Sequence, residues 1–221
     1  MVDVAGLGAF FIYSFMMIFF IVDPLGNLPL YMALTNDCTS KEKKEIIRTT
    51  VLTAFFVLCT FAIVGKYIFE FFGFTLPAFR IAGGILLFVI AMQQMFAERK
   101  KTTDEEHAEA LDREAIAIVP LGVPIYSGPG SITAVMILMS EASASGELVI
   151  AKSLLIILAI GVTQLISLIT LMYSEYIFKR LGKIGAFALA RIMGLILAAI
   201  SVQFIITGIA EAIHNFQAGQ I

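Results

Sequence analysis

Two short stretches place proline, glycine and hydrogen-bonding side chains inside otherwise apolar runs. The first is Asp23-Pro24-Leu25-Gly26-Asn27-Leu28-Pro29. The second is Pro120-Leu121-Gly122-Val123-Pro124-Ile125-Tyr126-Ser127-Gly128-Pro129-Gly130-Ser131-Ile132-Thr133. Proline removes a backbone donor and clashes with the preceding turn, and glycine frees the backbone, so each stretch should unwind a helix for a turn. The half-helix ends then present N–H groups on one side and carbonyls on the other. A zwitterion suits such a site: carboxylate to the N-terminal end, ammonium to the carbonyls or to a carboxylate. Asp23 is the acid deep within an apolar run, where an unpaired carboxylate is costly. It can act as a ligand for an ammonium group, as a coupling group for a proton or monovalent cation, or as the N-cap of a half-helix starting near Pro24. The candidate binding positions are Asp23, Pro24, Gly26, Asn27, Ser127, Gly128, Gly130, Ser131 and Thr133. The hydroxyls among them can equally bond their own helix backbone.

Arg80 and Arg191 precede similar glycine-containing stretches and are candidates for a gate or counter-ion, with snorkelling to an interface as the plain alternative. Gly83, Gly84 and Gly194 suit close helix–helix approach. Gln93, Gln94, Gln164 and Gln203 can line a cavity or bond between helices. Ser127 and Ser131 sit in a glycine-rich turn that resembles a nucleophile's setting. The two histidines, His107 and His214, lie in a charged loop and near the C-terminus, so no base is expected inside a span and the expectation is not an enzyme. Cys38 and Cys59 do not form a thiolate cluster, and neither a cofactor nor a metal is expected.

The elements that must position these residues follow from composition. The chain has 221 residues, of which 59% are hydrophobic and only 14% charged, with net charge −2. Mean hydropathy is +0.94. An ordinary soluble domain is about 25% charged, so a soluble enzyme, a disordered regulator and a nucleic-acid-binding domain are poor readings. A lipid bilayer is the natural solvent. Apolar runs at 5–34, 46–69, 75–97, 116–140, 149–173 and 186–210 predict six transmembrane helices. The first run is expected to be a retained span, since no basic stretch precedes it. Twelve basic residues fall in or beside the 1–2, 3–4 and 5–6 loops, against Lys66, Arg80 and Lys152 on the other side. Both termini are therefore expected outside.

Self-comparison supports an internal repeat. Tyr67-Ile68-Phe69 with Gly73 matches Tyr176-Ile177-Phe178 with Gly182, and Arg80-Ile81-Ala82-Gly83 matches Arg191-Ile192-Met193-Gly194. Pro24-Leu25-Gly26-Asn27 faces Pro129-Gly130-Ser131. The expected organisation is a first three-helix repeat (1–98), a charged cytoplasmic linker (99–115) and a second repeat (116–221). Three spans per repeat is an odd number, so the second must enter the membrane inverted. The expected fold is an all-α integral membrane protein, six helices in two inverted repeats, with helices 1 and 4 broken near the midplane.

On these residues the chain resembles the MarC family. The 23–29 stretch looks like that family's first-span signature and the 120–133 stretch like its fourth. Arg80-Ile-Ala-Gly-Gly, Arg191-Ile-Met-Gly and the chain length also fit. The resemblance covers roughly 8–213. It implies a six-span protein of the prokaryotic cytoplasmic (inner) membrane, related to LysE-type exporters, with some members described as transporters of neutral amino acids such as glycine and alanine. Pairing of Asp23 with a substrate ammonium is an inference from the residues. The alternatives are an exporter of other small solutes or drugs, and a scaffold subunit.

Overall fold

The computed structural model describes residues 4–96, 121–122 and 125–218. The linker at 99–115, the start of the expected fourth span at 116–120, and Val123 and Pro124 lie outside the described residues. Among the described residues seven α-helices occur, in chain order: α1 (Val4–Val22), α2 (Leu28–Leu34), α3 (Ser40–Phe72), α4 (Leu76–Phe96), α5 (Pro129–Ser143), α6 (Val149–Met172) and α7 (Ser174–Gln217). No strand occurs among the described residues. Among the described residues five helices are long and apolar enough to cross a membrane: α1, α3, α4, α6 and the Ile184–Gln217 part of α7. Phe56, Ile63, Phe71, Leu86, Leu158, Leu165, Ile192 and Ile206 are exposed on their surfaces. An apolar surface of that extent needs lipid rather than water around it.

The expected first span at 5–34 is two helices, α1 and α2, separated at 23–27. The second begins six residues earlier than its apolar run, because Thr39 starts it with a capping box. The Thr39 hydroxyl accepts from the Glu42 N–H at 3.5 Å, and Glu42 Oε2 accepts from the Thr39 N–H at 2.7 Å. That reciprocal satisfaction lets a lysine-rich segment be helical before the apolar stretch begins. It ends at Gly73, left-handed at φ 67°, with the Phe74 N–H reaching back to the Phe69 carbonyl. Of the expected fourth span, α5 supplies 15 residues, about 22 Å of rise against a hydrocarbon core of about 30 Å. The expected 5–6 loop is helical: Ser174 starts α7 one residue after α6, and the chain bends at Gly182 (φ 67°, ψ 173°).

Small residues set the packing of α4 on α7. A Cβ on Gly84 would stand 2.8 Å from the Ser201 carbonyl oxygen, one on Gly194 3.2 Å from that of Ala91, and one on Gly208 2.9 Å from that of Pro77. Numbers rise along α4 as they fall along α7, so the two are antiparallel and in backbone contact at three levels. Around this pair, α1 packs on α6, α3 on both α5 and α6, and α5 on α4, α1 and α6, while α2 packs on α7.

Candidate functional site

The first break is built from its own side chains. The Asp23 N–H closes the last turn of α1 on the Phe19 carbonyl at 2.9 Å. Asp23 then turns left-handed, with φ 49°, a region that Asp tolerates better than most residues. Pro24 brings no N–H. Asp23 Oδ1 accepts from the Gly26 N–H at 2.9 Å. The Asn27 carboxamide donates to the carbonyls of Val22 (3.1 Å) and Asp23 (3.0 Å), the latter also accepting from the Asn27 N–H at 3.2 Å. Asn27 then stands as the residue before α2, with Pro29 in its first turn. The N-cap role expected of Asp23 therefore applies to the turn 24–27, and regular helix starts only at Leu28.

A partner from across the fold completes this knot. Gln94 of α4 donates from Nε2 to Asp23 Oδ2 at 2.5 Å. The carboxylate is 2% exposed, so it has left water for two directed donors. A Cβ at Gly26 would overlap the Asp23 carboxylate and Gln94 Nε2, and only glycine lets that pair close over the backbone.

The second break relies on its backbone. The Ser127 N–H reaches five residues back to the Gly122 carbonyl at 3.0 Å, a wide π-type turn, and the Ser127 hydroxyl donates to the same carbonyl at 2.8 Å. Gly128 precedes α5 in an extended conformation and has no side chain to cap it, and Pro129 takes the first helical position. The Thr133 hydroxyl donates to the Pro129 carbonyl at 2.7 Å, and Ser131 is buried. Tyr126 is fully buried, and its hydroxyl has no hydrogen-bond partner among the described residues.

The two breaks meet. A Cβ on Gly130 would overlap Leu87 of α4 and stand 3.5 Å from Ile21 Cγ2 at the end of α1. Gly83 lies against Thr133. Tyr126 is within electrostatic reach of Asp23. Of the sequence candidates, Asp23, Pro24, Gly26 and Asn27 thus form the first break and Gly130 lies beside the end of α1, whereas Ser127, Gly128 and Ser131 belong to the second stretch, and Thr133 lies against Gly83, 11 residues before Gln94 on α4 and about 16 Å from it along the axis. Ser127, Thr133 and Asn27 bond to backbone within their own segments.

Arg80 and Arg191 do not join this group. Arg80 is 14 residues before Gln94 on α4, about 21 Å away along the axis. It does not snorkel. It is 7% exposed and bonds Glu141 of α5 at 2.9 Å and Glu211 of α7 at 3.2 Å. Arg191 is exposed and makes no ion pair among the described residues, so the repeat's matched arginines have different environments. At the opposite end Lys43 bonds Glu175 at 2.7 Å, a more exposed pair. Gln94 was one of several equivalent glutamines in the sequence, and Tyr126, Glu141 and Glu211 were not singled out. Their signal was weak: each acid lies at the end of an apolar run, and the tyrosine hydroxyl is one polar atom on a large ring.

A family profile described as "MarC family integral membrane protein" matches residues 8–213. A UPF0056 membrane protein of Methanocaldococcus jannaschii is 40% identical over 92% of this chain and 98% of its own length. A second from the same organism is 41% identical over 90% and 86%. YvbG of Bacillus subtilis, also a UPF0056 membrane protein, is 34% identical over 91% and 94%. No solved structure matches the chain. The chain belongs to the MarC family of integral membrane proteins.

Proposed function

We propose that this MarC protein is a secondary transporter of small neutral amino acids of the glycine and alanine type, not an enzyme. Substrate binds between the two breaks, and one half of the molecule rocks against the other. The observation that carries the reading is the buried Asp23 carboxylate, held in a helix break that lies against a second break from the other half of the chain. Irregular backbone at membrane depth is tolerated where it is enclosed in protein or lines a cavity, and transporters use such half-helix ends to bind ions and substrates. Asp23 receives the substrate ammonium and couples transport to a proton or a monovalent cation.

In this reading α5 and the residues before it form a sixth span, and the chain is two inverted three-helix repeats. The packing supports that symmetry. Exchanging α1 and α2 with α5, α3 with α6, and α4 with α7 carries the α1–α6 contact onto α5–α3 and the α4–α5 contact onto α7–α1 and α7–α2. The bias of basic residues toward the 1–2, 3–4 and 5–6 loops supports both termini lying outside the prokaryotic cytoplasmic membrane. Arg80 with Glu141 and Glu211 closes the outer face, and Lys43 with Glu175 closes the inner one. Arg191, exposed on α7, takes no part in either closure.

Proteoliposomes containing the purified chain test the reading. Labelled alanine and glycine are expected to exchange across the membrane. Asp23→Asn is expected to abolish pH-driven accumulation while sparing exchange. No counterflow with any of a broad amino acid panel overturns the proposal, and unchanged accumulation in the variant removes the coupling role.

A further inference from the structure

Several buried hydroxyls in this protein donate to a backbone carbonyl of their own segment. Thr35, Thr133 and Ser167 do so four residues back, Ser201 three and Ser127 five. Thr163 on α6 and Ser14 on α1 are fully buried and do not: neither hydroxyl has a partner among the described residues. Gln164, next to Thr163, is 2% exposed, and neither its carboxamide oxygen nor its nitrogen has a partner there. A buried carboxamide left unpaired on both ends costs stability, and a native structure that keeps one calls for a reason, of which a bound solute is one.

Helix directions locate the pair. Arg80, near the start of α4, meets Glu141, near the end of α5, so α4 and α5 are antiparallel. α6 turns straight back from α5 through 144–148 and is parallel to α4. The end of α1 meets the end of α4 through Asp23 and Gln94, and Tyr13 lies within electrostatic reach of Arg80 at the other end, so α1 is also parallel to α4. α1 and α6 therefore run side by side in one direction, with the Lys152 ammonium 4.9 Å from the centroid of the Phe10 ring. Asp23 lies 13 residues beyond Phe10, and Thr163 and Gln164 lie 11 and 12 beyond Lys152. At 1.5 Å per residue these are rises of about 20 Å and about 17 Å, equal to within one helical turn. Gln164 also lies on the buried stripe of α6, with Ile156, Ala159, Ile160, Thr163 and Ser167.

We propose that Gln164, with Thr163 beside it, is a specificity-determining wall of the substrate site, reading the end of the substrate that Asp23 does not. This rests on the transport reading above and extends it to α6. Asp23 is an acceptor suited to an ammonium. The Gln164 N–H groups and the Thr163 and Tyr126 hydroxyls are neutral donors suited to a carboxylate. The site therefore takes a solute with a cationic and an anionic end, and binding satisfies groups that the empty protein leaves unpaired.

The test is Gln164→Met, close to isosteric and apolar, with Gln203→Met as control, since Gln203 is exposed and bonds Thr207 in its own helix. Two quantities are measured: alanine uptake kinetics in proteoliposomes and the thermal midpoint of the purified protein without substrate. Gln164→Met is expected to raise the KM for alanine about tenfold, the size of one hydrogen bond to a charged group. Its midpoint without substrate should be no lower than wild type, because an unpaired amide has been removed. Gln203→Met should move neither. An unchanged KM with active wild type overturns this inference alone. So does a midpoint that falls with maximal rate while KM holds, the mark of a structural amide. A wild-type protein inert to the whole amino acid panel overturns the transport reading itself.

Discussion

The two breaks solve one problem in different ways. A helix interrupted inside a membrane frees N–H and C=O groups that lipid cannot satisfy. At 23–27 side chains do the work: the Asp23 carboxylate takes the Gly26 N–H, and the Asn27 carboxamide covers two carbonyls. At 121–128 the backbone does most of it, through one wide turn closed by Ser127. The first break is thereby tied to a distant helix through Gln94, whereas the bonds described at the second stay within its own segment. At the breaks themselves, the described carboxylate and the described bond to a distant helix both belong to the first.

Substitutions can break this comparison, in descending order of effect on stability. Gly26→Ala forces a methyl group between Asp23 and Gln94, and both are held in place. It should cost about 3 kcal/mol and abolish uptake. Gln94→Leu leaves Asp23 Oδ2 buried without its donor and should cost about 2 kcal/mol. Gly130→Ala meets the end of the Leu87 side chain, which can change rotamer, so a loss of about 1 kcal/mol is expected. Ser127→Ala keeps the backbone bond to Gly122 and should cost about 0.5 kcal/mol. Denaturant titration of the four purified variants in one detergent ranks them. Equal losses at Gly26 and Gly130 would make the two breaks equivalent and sink the contrast.

The break at 23–27 was legible in the sequence because proline and glycine act within a turn of where they stand, as was the start of α5 at Pro129. The knot was less so. Asp23 and Gln94 are 71 residues apart, and nothing local distinguishes Gln94 from Gln93 beside it. Arg80 and Arg191 show how a repeat misleads: matched sequence positions met different neighbours, because Glu141 and Glu211 converge on only one of them. The helical start of α7 was missed for another reason. Lys179, Arg180 and Lys183 indicated a loop by charge, yet lysine and arginine are good helix formers, and the chain bends only at Gly182. Thr163 gave no signal, since a threonine in an apolar helix ordinarily bonds its own backbone.

The choice of a carboxamide opposite Asp23 has its own consequence. A lysine or arginine there would lock the acid in its ionised form. Gln94 presents a donor to the carboxylate, and its own Oε1 has no partner among the described residues. If the acid takes up a proton, a half-rotation of the amide turns that oxygen toward the new O–H and the contact survives with donor and acceptor exchanged. The knot can thus hold its shape through either ionisation state. Loading and unloading a proton need not unfasten the fold around it.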